Sequence, residues 1–258
     1  MNKWVQKSIE LAKSNGYLDK LFEIYPIEVG SIREISPEAK KRIETVFKSK
    51  NKKELLKEIL KLQRFPFDDP YVASLKKHPY LLDKNPQTIK RISEKLLSLG
   101  LKSVLKLAVV PKSPSRQLGS SFKNWLPSLG FPLLEEEKFK NYKGRTFLKG
   151  SDKILKDFAS KNLRVKNLKK GIDFIFKSGG RFILGEAKFL TDYGGTQNNQ
   201  FRDAISLTKI KKDKIIGIAL LDGIVWFESS SYMHRKAKSV SGVALSALLL
   251  DRFIKENY

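Results

Sequence analysis

Residues 172–177 and 181–190 are two largely apolar runs separated by Ser178-Gly179-Gly180. That spacing leaves room for a two-residue turn and little else, so it predicts a β-hairpin. Closing it with Ser178 opposite Arg181 brings Asp173 opposite Glu186. Because side chains alternate along a strand, Lys188 shares the face of Glu186. Two carboxylates and an ammonium thus converge from strands that are otherwise hydrophobic.

Opposed carboxylates destabilise a strand pair unless a cation lies between them. A divalent metal removes that cost, and hard oxygen ligands favour Mg2+, which completes its shell with water and substrate phosphate oxygens. Lys188 can then stabilise developing charge, or orient or deprotonate an attacking water. The outline is that of phosphodiester hydrolysis. The plainer alternative is that Asp173 and Glu186 are solvent-side residues of a half-buried hairpin. The triplet alone does not decide, since Glu38-Ala39-Lys40 repeats it in a helical context where positions two apart face different ways. Strand context, register and the charge of the chain favour chemistry. Asp68-Asp69 before Pro70 reads as helix capping rather than as a second acidic pair.

Composition narrows the alternatives. The chain of 258 residues has no cysteine and two histidines, His78 and His234, so thiol chemistry and all-histidine or cysteine zinc sites are excluded. Any metal must be held by oxygen. Lys and Arg number 51 against 27 Asp and Glu, a net charge of +24. The excess is spread over both halves, with 26 basic against 13 acidic residues up to position 130 and 25 against 14 beyond it. A folded chain that is basic throughout suits a polyanion such as nucleic acid. The absence of a leader-like apolar start or a membrane-length run implies a cytoplasmic, soluble protein with no membrane partner. No Gly-x-x-x-x-Gly-Lys-Ser/Thr loop is present, so no nucleotide cofactor is expected.

Two parts are predicted. Residues 1–110 read as a basic helical domain or subdomain serving DNA recognition or dimerisation. Within it, Ser36-Pro37 starts one helix, Leu55, Leu56, Ile59, Leu60 and Leu62 mark a second, and Asn85-Pro86 to Gly100 frame a third. A Pro/Ser-rich stretch at 109–115 leads into residues 111–258, read as an α/β unit on a mixed sheet. There, helices are predicted over 116–126, 151–163 and 240–255, with a second hairpin of 215–221 and 224–227 about Asp222-Gly223.

Asp173 followed by Glu186-x-Lys188 on the adjoining strand resembles the PD-(D/E)xK nuclease superfamily, although Ile172 stands where that family often has proline. The stretch from Leu190 to Gln200, with Gly194-Gly195 and Asn199, is similar to the Gly-Gly-x-x-x-Asn segment of type II restriction endonucleases. The stretch from Ser115 to Phe122 is similar to the helix that opens such cores. The resemblance covers about residues 112–258. It implies a restriction-endonuclease-like mixed β-sheet flanked by helices, with Asp173 and Glu186 binding Mg2+ and Lys188 assisting the water. The opening helix often supplies another acid, and none stands between Arg116 and Leu126, so a second metal site would draw on Glu135, Glu136 or Glu137.

DNA contacts are expected from Arg116, Gln117, Ser120 and Lys123 and from Tyr193, Gly194, Gly195, Gln197, Asn198, Asn199 and Gln200. Glycines permit positive φ and close backbone approach, and side-chain amides can read adenine. Tyr232-Met233-His234-Arg235-Lys236-Ala237-Lys238 reads as a phosphate clamp or a solvated loop. The expected function is Mg2+-dependent, sequence-specific cleavage of double-stranded DNA by a homodimer, a palindromic site requiring two-fold symmetry. The alternatives are a repair or junction-resolving nuclease on the same core, or a non-catalytic DNA-binding protein.

Overall fold

The computed structural model describes residues 1–26, 34–110, 118–166, 168 and 172–258. The chain divides into two compact units, one formed by Met1–Ile27 with Pro114–Tyr258 and the other by Glu28–Ser113. It opens with α1 (Lys3–Lys13) and α2 (Tyr17–Ile24). Asn2 caps α1 by accepting the amide of Trp4. Trp4, Val5, Ala12, Tyr17, Leu21 and Ile24 are buried in the same core as the strands, and the Trp4 ring meets Phe253 edge-on at 5.1 Å. The first 27 residues thus belong with the sheet, not with a helical domain running over 1–110. Their apolar stripe finds its partners more than two hundred residues away, which local periodicity cannot reveal.

The helical unit follows with α3 (Pro37–Lys48), α4 (Lys52–Leu60), α5 (Val72–Lys77), α6 (Leu81–Lys84), α7 (Pro86–Leu99) and α8 (Leu101–Ala108). Its boundaries follow the cap chemistry. The Ser36 side chain accepts the Ala39 amide, Asn51 accepts that of Glu54, and Gly100 takes a φ of 76° after α7. Ile43, Leu55, Leu56, Ile59, Ile92, Leu96 and their neighbours form a separate core. Asp69 accepts the Tyr71 amide just before α5 and binds Arg91 at 2.6 Å, a structural use of the acidic pair.

The sheet unit resumes with α9 (Leu118–Trp125), β1 (Leu133–Leu134), α10 (Glu136–Asn141), β2 (Thr146–Leu148) and α11 (Asp152–Lys161). Then come β3 (Phe174–Ser178), β4 (Arg181–Leu190), α12 (Gly195–Leu207), β5 (Lys211–Lys212) and β6 (Ile215–Gly223). Last are α13 (Tyr232–Lys238), β7 (Val243–Leu245) and α14 (Leu250–Asn257). Seven strands form one mixed sheet in the order β1-β2-β3-β4-β6-β5, with β7 also paired to β6. The β3–β4 hairpin is antiparallel, while β6 runs parallel to β4, with α12 as the connection. Both faces of the hairpin are covered. Phe174, Phe176 and Ile183 enter one core, and Ile175 and Leu184 enter the other with Phe139, Leu155 and Phe158. That is why these strands are apolar at successive positions.

Two predicted elements are corrected. Asp222-Gly223 is not a hairpin turn: β6 continues through it, and a 3-10 turn over Ile224–Trp226 follows. Asp222 is fully buried and accepts hydrogen bonds from three donors, which overrides the local turn preference of Asp-Gly. The helix predicted over 240–255 begins instead as β7, which β6 recruits as a parallel partner, and becomes helical only at Leu250 after a 3-10 turn. The predicted 116–126 helix is described from Leu118 on, so Arg116, Gln117 and most of the 109–115 stretch lie outside the described residues.

Candidate active site

Gly179 and Gly180 both have positive φ, 52° and 81°, as the tight turn between two adjacent strands requires. The ladder runs from Ser178↔Arg181 to Phe174↔Gly185, the register expected from the sequence. One step further the geometry departs from expectation. Asp173 is not squarely opposite Glu186, because its amide donates to the Gly185 carbonyl at 2.9 Å and it leaves the ladder. Its Oδ2 instead accepts the Ala187 amide at 2.8 Å. The three side chains still meet: Lys188 Nζ lies 3.1 Å from Glu186 Oε1 and 3.6 Å from Asp173 Oδ2. On its other edge β4 is held by β6, with Glu186 paired to Ala219 and Lys188 to Leu221, so the backbone bearing the site is fixed from both sides.

Burial sets the electrostatics. The Glu186 side chain is only 7% exposed. Burial raises its carboxyl above the ordinary range against the pull of Lys188, and the charges of Asp173 and Asp203 add to the rise. For Lys188, burial works against the ammonium, but Asp173 and Glu186 outweigh it and hold the group above its usual value. Lys188 is therefore a firmly protonated ammonium between two carboxylates.

These residues line a cavity of about 500 Å3. Gln200 and Asp203 from α12, Asp152 at the start of α11, Tyr25 after α2, and Gly119 and Phe122 of α9 line it as well. Sequence reasoning missed Asp203, Asp152 and Tyr25. Asp203 was within reach of it, being three residues from Gln200 on a recognised helix. Tyr25 left no signal, since its place depends on the fold. The candidates for an additional acid are elsewhere engaged: Glu135 pairs with Lys149 at 2.8 Å and Glu136 with Lys140 at 2.5 Å, and Glu137 does not line the cavity either. Among the described residues no group of three or more histidine or acidic side chains is gathered closely enough to hold a metal by itself. A buried and a half-buried carboxylate beside a cavity nevertheless suit a hard divalent cation that takes its other ligands from water and phosphate.

Around the cavity, the expected DNA-contacting residues divide. Lys123 is half-buried and paired with Asp152, and Ser120 is exposed on α9. Gly194 precedes α12 with a φ of −67°, and neither it nor Gly195 uses the positive φ that glycine permits. A Cβ built at Gly195 would meet nothing within 4 Å, so this end of the helix is open to approach. Tyr193 is exposed, and its carbonyl accepts from Asn198 Nδ2 at 3.1 Å. Gln197 Nε2 reaches Thr191 Oγ1 at 3.3 Å while its Oε1 is buried without a partner, and exposed Asn199 accepts from Arg202 at 3.4 Å. Of the four amides only Gln200 lines the cavity. Residues 232–238 form α13 rather than a loop, with His234 buried against the Val225 carbonyl.

A seven-stranded mixed sheet flanked by helices, with two carboxylates and a lysine converging where its hairpin ends, is consistent with a restriction-endonuclease-like nuclease core. The family model described as Tsp45I type II restriction enzyme matches residues 2–257, and the chain belongs to that family. No curated protein and no solved structure matches it. Membership makes the chain a site-specific deoxyribonuclease, with DNA as its substrate, in a class of enzymes that typically use a divalent metal. Among the described residues no helix is long and apolar enough to cross a membrane.

Proposed function

We propose that this enzyme is a Mg2+-dependent endonuclease of the PD-(D/E)xK kind that cuts double-stranded DNA at a specific sequence as a homodimer. The observation that carries the reading is the meeting of Asp173, Glu186 and Lys188 at one cavity, on a strand held from both edges. Asp173 and Glu186 are the residues that would hold the metal. Bound there, Mg2+ would polarise the scissile phosphate and lower the pKa of a water. The Lys188 ammonium faces the charge that builds on the phosphate and offsets it. The Ala187 amide is already engaged by Asp173, which keeps the backbone between Glu186 and Lys188 from turning when substrate binds.

Recognition is assigned to the open start of α12, where Tyr193, Gly194 and Gly195 border the cavity's helix and Gln197, Asn198, Asn199 and Gln200 present amides. Ser120 and Lys123 of α9 would add backbone contacts. The helical unit, with 20 Lys and Arg against 10 Asp and Glu, would add affinity through phosphates.

The test is incubation of the purified protein with a sequenced plasmid and Mg2+, beside Asp173→Ala. Discrete fragments lost in the variant support the reading, and their ends give the target. Cleavage of branched DNA only, without sequence preference, would move the assignment to a junction-resolving nuclease. DNA retardation without any cutting would leave a binding protein.

A further inference from the structure

Asp222 is the buried acid that the reaction above does not use. It is the last residue but one of β6, paired with Phe189, the residue after Lys188, and is fully buried. Its carboxylate accepts the Tyr25 hydroxyl at 2.8 Å, the Ser246 hydroxyl at 2.5 Å and the Ala247 amide at 3.2 Å. All three of these donors are neutral. Burying a carboxylate on neutral donors is costly, and a neutral side chain could fill the same space.

The Tyr25 bond leads to the catalytic cavity. Tyr25 lines it together with Lys188 and Phe122. Its ring stands edge-on to Phe189 at 5.0 Å and stacks on Phe122 of α9 at 6.4 Å. The next residue, Pro26, accepts the Ser121 hydroxyl at 3.1 Å. The chain leaves the sheet unit just after this point and has returned to it by α9, so the Ser121 hydroxyl ties the two stretches to each other next to the residue that Asp222 holds.

We propose that Asp222 is a positioning residue for the nuclease site: through the Tyr25 hydroxyl it fixes the cavity wall formed by Tyr25, Phe122 and Phe189, and with it the setting of Lys188. The inference rests on the reading of Asp173, Glu186 and Lys188 as the catalytic set. Tyr25 transmits the restraint, and neither it nor Asp222 is required to touch the phosphate.

The test compares full-length wild type with Tyr25→Phe, Asp222→Asn, Asp222→Ala and Lys188→Ala on a supercoiled plasmid that wild type cuts. Single-turnover cleavage is followed in Mg2+, DNA affinity in Ca2+, and folding by thermal unfolding. Tyr25→Phe keeps the ring and removes the link, and is expected to cut about 10–100-fold more slowly with DNA affinity within about twofold of wild type. Asp222→Ala should behave likewise. Asp222→Asn should cut at close to the wild-type rate, because its amide oxygen still accepts the hydroxyl. A purely structural role would lower the melting temperature and leave the rate of the folded enzyme unchanged. Wild-type cleavage by folded Tyr25→Phe overturns the proposal even if Asp222→Ala does not fold, and so does an Asp222→Asn rate as low as that of Tyr25→Phe. Undiminished cleavage by Lys188→Ala instead sinks the catalytic reading beneath it.

Discussion

The Asp173 carboxylate accepts the backbone amide of Ala187 at 2.8 Å, so the residue between Glu186 and Lys188 is tied to the third member of the site. Asp173 thereby has two separable duties, bearing charge and bracing the strand. Asp173→Asn keeps an acceptor and loses the charge, whereas Asp173→Ala loses both. Both variants should lose cleavage by at least about a hundredfold. In urea unfolding, the alanine variant should be less stable than the asparagine variant by about 1 kcal/mol. Equal stabilities would show that the bond to Ala187 contributes nothing.

Replacing Lys188 by methionine removes the cation that restrains the buried Glu186 carboxyl, whose pKa burial already raises. That pKa should rise further in Lys188→Met. A carboxyl whose folded pKa lies above its unfolded value contributes stability at low pH that is lost as pH rises through the interval between them. The variant's stability relative to wild type should therefore fall between acid and neutral pH, as denaturant titrations at several pH values would show. Cleavage should drop about 100–1,000-fold while DNA binding in Ca2+ persists.

Gln200 lines the cavity from α12, and the proposed function makes its amide the first candidate for reading a base near the cut. Gln200→Ala is expected to reduce the preference for target over unrelated DNA by about 1–3 kcal/mol. The dependence of affinity on salt should be unchanged, because that slope counts neutralised phosphates. Filter binding of target and non-target fragments across a salt series separates the two effects. A shallower slope with intact preference would make Gln200 part of a backbone contact instead.

Asp222 makes a separate pH prediction. Burial pushes its carboxyl up to about 7 from the ordinary 3.8, against the pull of Ser246, Tyr25 and Ala247. The groups facing it, Tyr25 and Tyr17, are phenols held above their own usual value and do not titrate there. Between those pH values the folded chain keeps a proton that the unfolded chain has released, so stability falls as pH rises from about 4 to about 7. Asp222→Asn should lack that decline and gain on wild type across the interval. Parallel curves for the two proteins in urea unfolding at pH 5 and pH 8 would contradict it.

How much of this was legible in the sequence depended on the range of the interactions involved. The β3–β4 hairpin could be read because two glycines between two short apolar runs act within a few residues, and the register from Ser178↔Arg181 followed. Helix starts at Ser36 and Ser151 are equally local, each side chain accepting an amide three residues on. Asp222-Gly223 misled because its turn chemistry was overruled by donors from residues 25, 246 and 247. The exit of Asp173 from the ladder was invisible for a related reason, its carboxylate having replaced a backbone bond. Asp152 reaches the site by the placement of α11, which no spacing in the strands encodes.

The membership of the first 27 residues in the sheet unit changes where this protein can be cut and rejoined. A fragment starting at residue 111 would strip α1 and α2 from the sheet and leave the contact surfaces of Trp4, Leu21 and Ile24 bare to water. The helical unit is instead a graft into a loop whose two ends are already stitched together through Pro26 and Ser121. Swapping that graft between relatives, with both junctions kept, is the natural recombination unit for this enzyme.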